Sequence, residues 1–483
     1  MIYLILFLAF ILRLPLLNSS FWLDEAAQFL ESARPLSAQL QIKDDFQPPL
    51  MHLLTFFNIR FGILFGLEKT EWWLRLLPSL IPGVITIWAI YQIGLQISNR
   101  KTALLSSLFL TTSSFHIFYS QELRPYSLPA MIGTLATWQM LKALKVNKNF
   151  IFFLLLSIFG LYASYLYPFL LFSQLAYLLY KKLDFKKIIL ICSVVFLSFL
   201  PWLPKFLEQL QAGQNLRLNM PGWEKVVSLP QFKTLLLVPM KFIFGLSDLQ
   251  LNFAYIFLAL IIFLPIFYFI YLDSKKKNEK LFFFFFLLFL PLATSWLISF
   301  LVPVLQAKRV LFLLPLFALL EAILITSHQK KYPHLSKILL SSIIAINLFS
   351  TIAYWRKPQL QRENWRALSQ EIAQKFPKQS TAIVFSFDNA FAPWIFYDQV
   401  DYKTFSTGVF YSNKLPNMAE SFKNLSNYRY VLVFDYLRDL TDPDNLVLKT
   451  VQDLGFKAVG VLDYPNIGFV RIYSQDKLAF NLI

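Results

Sequence analysis

The stretch KKKNEKLFFFFFLLFLPLATSWLISFLV, residues 275–302, decides the class of fold. Four of its first six residues are lysines, and the 22 residues from 281 to 302 carry no charge. A helix needs about 20 mostly apolar residues to cross the hydrocarbon core of a bilayer. Lysine is concentrated in the cytoplasmic loops of membrane proteins. The stretch therefore predicts a membrane-spanning helix that follows a cytoplasmic loop.

The composition of the whole chain agrees with this prediction. Of 483 residues, 57% are hydrophobic and 15% are charged, against roughly 25% charged residues in an average soluble domain. The net charge of +17 suits nucleic acid or a membrane surface. Because the basic residues cluster in short loops between apolar runs, they indicate a membrane protein and no nucleic-acid partner. The single cysteine, Cys192, excludes a disulfide within the chain.

Eleven apolar segments predict transmembrane helices of a polytopic bundle. They lie at 2–17, 74–97, 102–119, 126–143, 150–165, 166–180, 187–203, 252–272, 281–302, 310–327 and 337–355. The first lacks a basic region and a cleavage site, so we expect it to be retained. The basic loops fall on one side, which the positive-inside rule makes cytoplasmic. We therefore expect a multi-pass plasma-membrane protein with a cytoplasmic N-terminus.

The C-terminal part has a different character. We expect residues 1–355 to form the transmembrane domain and residues 356–483, which are nearly balanced in charge, to form an extracytoplasmic domain. The pattern predicts a helix over 363–376 and strands over 382–387, 431–434, 456–462 and 469–473. Strands that alternate with helices predict a small α/β domain. The fold class is thus mainly α, with this domain added.

Two adjacent carboxylates, Asp24 and Glu25, follow the first predicted helix and lie beside Trp22. Two such groups near an apolar side chain are costly unless something uses or neutralises them, and a carboxylate in this setting suits a general base. The alternative is the first turn of a helix, where the macrodipole favours acidic residues. This segment alone leaves both interpretations open.

Two further motifs place charge at the ends of predicted helices. Residues 44–50, Asp-Asp-Phe-Gln-Pro-Pro-Leu, include Asp45 and Gln47. The acidic pair could bind a cation or a sugar hydroxyl. The alternative is a plain junction between a loop and a helix. The turn at 120–126 contains Glu122, Arg124 and Tyr126. A guanidinium there can hold a phosphate or a carboxylate bidentately. The alternative is an internal ion pair with Glu122 or Asp24.

Lys308 and Arg309 begin a late helix on the predicted outer side, where basic residues are disfavoured. A lipid-linked phosphate at the outer leaflet would account for them, and snorkelling at a helix end is the alternative. No Walker loop, GxGxxG or GxSxG occurs, so nucleotide-binding and hydrolase functions have no motif support.

Taken in this order, the segments resemble the C-type (GT-C) membrane glycosyltransferases, and most closely the protein O-mannosyltransferase and aminoarabinose-transferase-like group. The resemblance rests on the Asp24-Glu25 pair, an Asp-x-His-Pro-Pro-Leu-like stretch at 45–50, a Gln-Glu-x-Arg-x-Tyr-like turn at 121–126, and Lys308-Arg309. It covers residues 1 to about 330. Gln47 stands where many members have His, which puts a metal or acid role at that position in doubt.

The resemblance implies transfer of a sugar from a polyprenyl-phosphate donor to an acceptor hydroxyl on the extracytoplasmic face, with inversion. The acceptor is a protein, a lipid or a glycan, and the participation of a divalent metal is left open. The implied roles are Asp24 as the base, Glu25 as an orienting group, Arg124, Lys308 and Arg309 as ligands of the donor phosphate, and Asp45, Gln47, Glu122 and Tyr126 as acceptor-binding or site-shaping residues.

Two other hypotheses compete with the transferase. A transporter or flippase of a lipid-linked sugar predicts inverted repeats and Gly/Pro-broken helices near the midplane. The chain shows no such symmetry and has only 13 glycines. A non-catalytic scaffold would leave the Asp24-Glu25 pair and Arg124 without a purpose.

Overall fold

The computed structural model describes residues 1–42, 45–146, 150–219, 232–246, 253–415 and 418–475. The chain forms two compact units. Unit 1 comprises Met1–Asn18, Arg34–Leu207 and Leu229–Leu360, and unit 2 comprises Ser19–Ala33, Glu208–Ser228 and Gln361–Ile483. The segment that carries Asp24 and Glu25 therefore belongs to unit 2, whereas the predicted division at 355 assigns it to the N-terminal domain.

Long apolar helices dominate the chain. Within the described residues, six helices are long and apolar enough to cross a membrane, namely Glu71–Ile97, Phe185–Asn215, Phe253–Lys275, Glu279–Ile298, Leu311–His328 and Pro333–Arg356. Each of them overlaps one of the predicted spans. The shorter apolar helices are Ile2–Ile11, Leu50–Ile63 and Phe150–Ala163. The predicted class, a mainly helical polytopic membrane bundle, is confirmed, and the number of eleven spans stays a prediction.

The other α-helices of unit 1 have fewer than 18 residues. They are Arg100–Thr112, Ser114–Tyr119, Ser127–Ala143, Tyr167–Tyr180 and Phe232–Phe244. The segment predicted as one helix over 102–119 is broken at Ser113, whose backbone is extended and whose hydroxyl accepts the amide hydrogen of His116 at 3.4 Å. A serine in this conformation caps the helix that follows it, so the chain changes direction there.

Unit 2 contains a five-stranded mixed sheet. Its strands are β1 (Thr381–Phe385), β2 (Lys403–Ser406), β3 (Tyr430–Phe434), β4 (Lys457–Tyr464) and β5 (Gly468–Ser474), in the order β2-β1-β3-β5-β4. Strands β2, β1 and β3 are parallel, and β5 is antiparallel to both β3 and β4. The predicted small α/β domain is confirmed. The prediction missed β2, a four-residue edge strand that begins with an exposed lysine.

Both faces of the central strands are covered. Every residue of β1 and β3 is buried, as expected for parallel strands between two layers. One face packs on a cluster that includes Trp365, Trp394 and Phe434, and the other on a cluster that includes Val433 and Val447. The helices of this unit include Leu23–Ala33, Trp365–Lys375, Ala392–Tyr397, Met418–Ser421, Arg438–Thr441 and Leu446–Asp453.

Candidate functional site

In unit 1, Arg124 and Asp45 form a bidentate ion pair. Nη1 of Arg124 donates to Oδ2 of Asp45 at 2.7 Å, and Nη2 donates to Oδ1 at 3.2 Å. Asp45 is 8% exposed. Burial opposes the ionisation of Asp45, but the Arg124 guanidinium and the imidazole of His52 together outweigh it and hold the pKa of this carboxyl well below its usual range. Asp45 is therefore an anion. The sequence analysis offered Glu122 or Asp24 as the ion-pair partner of Arg124, and did not indicate Asp45.

Gln47 extends this pair to a buried imidazole. Its Nε2 donates to Oδ2 of Asp45 at 2.5 Å and to Nε2 of His52 at 2.8 Å, and one amide nitrogen carries the two hydrogens that both contacts need. His52 is fully buried in the helix Leu50–Ile63. The sequence analysis did not single out His52. The signal that could have found it is its place five residues after Gln47, behind a proline pair.

The turn that carries Arg124 is anchored through backbone carbonyls. Ser79 donates its hydroxyl hydrogen to the carbonyl oxygen of Glu122 at 2.5 Å, and the amide of Arg124 donates to the same oxygen at 2.8 Å. Ser79 lies in a π-helical segment, Leu76–Leu80, and its own carbonyl accepts the hydroxyl of Ser127 at 2.7 Å. The π-helical segment Leu76–Leu80 is thus hydrogen-bonded directly to the turn that carries Arg124.

Other polar contacts fix the start of the same turn. Nε2 of Gln121 donates to the carbonyl oxygen of Arg13 at 2.7 Å, and Oε1 of Gln121 accepts the hydroxyl of Tyr354 at 3.1 Å. A Cβ atom on Gly83 would collide with the side chain of Ser120, so glycine permits the close approach of the two segments. The segment just after the first helix, the turn and the last helix of unit 1 therefore share one polar junction.

Lys308 joins this region, whereas Arg309 has a contact within its own segment. Nζ of Lys308 lies 5.7 Å from the centre of the Tyr126 ring, a distance typical of a cation–π contact. The amide of Tyr126 donates to the carbonyl oxygen of Arg124 at 2.8 Å. Nη1 of Arg309 donates to the carbonyl oxygen of Pro303 at 3.3 Å. Both cations are half-buried, so neither is a fully solvated helix end.

In unit 2, Asp24 and Glu25 lie in the first turn of the helix Leu23–Ala33. The interpretation of this acidic pair as the first turn of a helix is therefore correct. It does not exclude a catalytic role for Asp24. Asp24 is half-buried, whereas Glu25 is 0% exposed. Oε2 of Glu25 lies 3.5 Å from Nε of Arg362, whose side chain is 3% exposed. Asp24 thus keeps surface that a substrate can reach, and Glu25 is held inside the unit.

Glu363, which sequence reasoning treated only as the start of a helix, lies behind Asp24. Its carboxylate accepts three hydrogens, from the amide of Leu23 at 3.3 Å, from Nε1 of Trp365 at 2.6 Å and from the hydroxyl of Tyr436 at 2.8 Å. Burial raises the pKa of Glu363 to about 7, and the charge of Asp24 acts in the same direction. Leu23 and Glu363 are 340 residues apart, so no local pattern indicated the contact.

The predicted site residues are thus divided between the units. Asp24 and Glu25 belong to unit 2, and unit 1 contains the others, which are Asp45, Gln47, Glu122, Arg124, Tyr126, Lys308 and Arg309. Among the described residues, no group of three or more His, Cys, Asp or Glu side chains could hold a metal ion. Asp44, the other half of the predicted acidic motif at 44–50, lies outside the described residues.

Comparison with known proteins agrees with the motifs. Residues 48–205 match the family model of dolichyl-phosphate-mannose-protein mannosyltransferase, a range that contains the helix Leu50–Ile63 and the turn of Arg124. No curated protein sequence matches the chain. Solved structures match almost the whole chain, including both the helical and the sheet regions.

The apo crystal structure of ArnT from Cupriavidus metallidurans is 12% identical, with a TM-score of 0.53, and the alignment covers 98% of this chain and 97% of that one. ArnT bound to undecaprenyl phosphate is 11% identical, with a TM-score of 0.50 and coverage of 99% and 98%. The oligosaccharyltransferase AglB from Archaeoglobus fulgidus, in complex with an inhibitory peptide and a dolichol-phosphate, is 12% identical, with a TM-score of 0.51 and coverage of 100% and 75%. The chain has the GT-C fold, and the resemblance to GT-C membrane glycosyltransferases is confirmed.

The Arg124–Asp45 pair predicts a specific pattern of stability. Asp45→Asn should lower the unfolding midpoint in detergent, because it removes the carboxylate that pairs with the half-buried Arg124 guanidinium, at a cost of about 3 kcal/mol. Arg124→Gln combined with Asp45→Asn should cost less than the sum of the single changes, with a coupling of about 1–3 kcal/mol.

The exposed pair Lys181–Glu279, 2.8 Å apart with side chains 29% and 77% exposed, is the matched control. Glu279→Gln should leave the unfolding midpoint nearly unchanged, because exposed ion pairs contribute little. Additive effects of Asp45→Asn and Arg124→Gln would contradict the geometry described above.

Proposed function

We propose that this GT-C membrane protein transfers a sugar from a polyprenyl-phosphate donor to an acceptor hydroxyl, with inversion at the anomeric carbon. The observation that carries the proposal is the cluster of Arg124, Asp45 and Gln47, with Lys308 on Tyr126, within a GT-C fold. Fixed cations in a partly buried setting suit a phosphate leaving group. The undecaprenyl phosphate bound by ArnT and the dolichol-phosphate bound by AglB support a lipid-phosphate donor.

The reaction is a single displacement. Asp24 takes the proton of the acceptor hydroxyl while the acceptor oxygen forms a bond to the anomeric carbon. The bond from that carbon to the phosphate oxygen breaks, and the polyprenyl phosphate leaves with the electron pair. Attack from the side opposite the leaving group inverts the anomeric configuration. Asp24 suits the base because it keeps exposed surface, whereas Glu25 is buried against Arg362 and orients the turn.

The positive residues act on the donor. Negative charge develops on the phosphate as the sugar departs, and preorganised charge facing it is typically a large catalytic contribution. Both Nη atoms of Arg124 donate to Asp45, which fixes the orientation of the guanidinium and offsets its charge. A guanidinium carries five N–H donors, so Arg124 can still donate to the phosphate, while Lys308 and Arg309 offer the net positive charge. Tyr126 and the backbone of Glu122 shape this region, because each contacts the turn of Arg124.

The basic loops support an assignment of the side of the membrane on which the reaction occurs. Lys276 and Lys277 lie between the helix Phe253–Lys275 and the helix that begins at Glu279, and under the positive-inside rule this end of the helices is cytoplasmic. We therefore place the N-terminus in the cytoplasm, the C-terminal domain outside the plasma membrane, and the transfer on the extracytoplasmic face.

The assay that tests this function measures release of undecaprenyl phosphate in proteoliposomes. The donors are synthetic undecaprenyl phosphates that each carry one labelled hexose or pentose, and a cell-envelope extract supplies acceptors. A transferase releases the lipid phosphate and labels the acceptor. Movement of the intact donor across the bilayer without release would indicate a flippase and overturn the proposal.

Asp24→Asn should reduce transfer by about 10²–10⁴-fold, because the amide cannot accept the acceptor proton. The unfolding midpoint should stay close to that of the wild type, since Asp24 is half-buried at a helix end. Glu31→Gln, which removes the same charge later in the same helix, is the matched control and should retain activity. Wild-type turnover in Asp24→Asn would remove Asp24 as the base.

Arg309→Ala should raise the KM for the donor by roughly tenfold, the effect of losing a charge-assisted contact of about 1.5 kcal/mol. Arg60→Ala provides the control, because Arg60 is an exposed arginine of unit 1 outside the proposed site. An unchanged KM for the donor in Arg309→Ala would assign Arg309 to snorkelling at the helix end.

A further inference from the structure

The first turn of the helix Leu23–Ala33 is held from both sides of Asp24. On one side, the amide of Leu23 donates to Oε2 of Glu363 at 3.3 Å. On the other side, the carboxylate of Glu25 lies 3.5 Å from Nε of Arg362. Two consecutive residues of the C-terminal domain therefore contact the two neighbours of Asp24. Because the residues before and after it are both fixed, the direction of the Asp24 side chain is restricted.

The segment before the helix is attached to the same domain. The amide of Phe21 donates to the hydroxyl of Tyr397 at 2.7 Å, and the hydroxyl of Ser20 accepts the amide hydrogen of Arg366 at 3.1 Å. Further along the helix, the Phe29 ring meets the Phe396 ring edge to face, with 4.8 Å between centroids. The contacts of Glu363 are thus part of a continuous attachment and not an isolated pair.

Glu363 lies near the carboxyl ends of the parallel strands of the sheet domain. Tyr436, which donates to Oε1 of Glu363 at 2.8 Å, follows β3 by two residues. Open α/β sheets bind ligands outside the carboxyl ends of their parallel strands. Here that edge holds Glu363, and Leu23 packs against the hydrophobic cluster that includes Tyr436 and Trp365. The domain therefore uses the edge at the carboxyl ends of its parallel strands to hold the helix that carries Asp24.

We infer that Glu363 is a positioning residue for the proposed base Asp24: it fixes the backbone of Leu23, and through it the orientation of the catalytic carboxylate. The inference rests on the proposed function, because it assigns the C-terminal domain a part in the same reaction. Glu363 does not touch the reacting atoms. It acts through the helix, with Arg362 holding Glu25 from the other side.

The charge of Glu363 makes this role sensitive to pH. The titratable groups that face it are Asp24 and Tyr436, and the Glu25–Arg362 pair lies beside them. The ionised carboxylate accepts from Leu23, Trp365 and Tyr436 with both of its oxygens. In the protonated acid, one of these oxygens becomes an O–H donor. Burial raises the pKa of Glu363 to about 7, so the fraction of ionised Glu363, and with it kcat, should rise as the pH increases through that value.

The test compares Glu363→Ala with Glu363→Gln in full-length protein, using the undecaprenyl-phosphate donor that the wild type turns over. Glu363→Ala removes every acceptor and should lower kcat by up to roughly 10²-fold, the effect of a displaced catalytic group, with an unchanged KM for the donor. Glu363→Gln keeps one carbonyl oxygen for Leu23 and Trp365, as the protonated acid does, so it should give at every pH the lower kcat that the wild type has below pH 7, a value well above that of Glu363→Ala.

Glu371→Gln is the matched control. Glu371 is a carboxylate of the same domain that accepts from a tyrosine, Tyr464, and pairs with Lys375 at 2.9 Å, but it does not belong to the attachment described here. This variant should keep the kcat and the pH profile of the wild type. Wild-type kcat in Glu363→Ala, or a preserved rise near pH 7 in Glu363→Gln, would overturn the inference.

Hydrogen–deuterium exchange separates this inference from the function itself. Amides of residues 23–27 should exchange faster in Glu363→Ala than in the wild type or in Glu371→Gln, because the helix start loses its acceptor. If the wild type releases no lipid phosphate from any donor, the proposed function fails, whereas the exchange result still decides whether Glu363 holds the helix. Unchanged exchange in Glu363→Ala would refute the positioning role directly.

Discussion

A peptide group at membrane depth must find its hydrogen-bond partner inside the protein, and the rest of unit 1 depends on this constraint. Helices meet it everywhere except where they are interrupted, and there side chains supply the partners. The carbonyl of Ser79 in the π-helical segment accepts from Ser127, and the hydroxyl of Ser79 donates to Glu122. The interruption of the helix thus anchors the turn of Arg124. Irregular backbone and candidate site coincide here, since the serine side chains that stabilise the interruption also anchor the turn of Arg124.

Buried charge follows the same logic. A buried ion is tolerated when an opposite charge and further hydrogen bonds surround it, and each unit meets this requirement with its own residues. Arg124 has Asp45 in unit 1, and Glu25 has Arg362 in unit 2. Asp24 differs from these residues because it is half-buried. Of the two acids at the start of the helix, Asp24 is therefore the one that keeps exposed surface, whereas Glu25 is buried.

Sequence patterns predicted what depends on local chemistry. Apolar length indicated the long helices, and the alternation of strands and helices indicated the sheet domain. Patterns could not indicate contacts between distant segments, such as Arg124 with Asp45, which are 79 residues apart, or Glu363 with Leu23. The sequence did indicate Arg124 as a candidate site residue, since it is a lone cation in a turn. It did not indicate Glu363, because a glutamate at the start of an amphipathic helix is explained by the helix macrodipole.

The replacement at position 47 bears on how the donor would be held. Because Asp45 neutralises Arg124, the net positive charge offered to a phosphate would come from Lys308 and Arg309, and Arg124 would contribute orientation through its fork. A histidine at position 47 would titrate near neutral pH and alter the hydrogen bonding of Asp45 as it did so. Gln47 does not titrate, and its amide donates to Asp45 at 2.5 Å. The alignment of Arg124 is therefore maintained by a group whose charge is independent of pH, with the imidazole of His52 placed one step behind it.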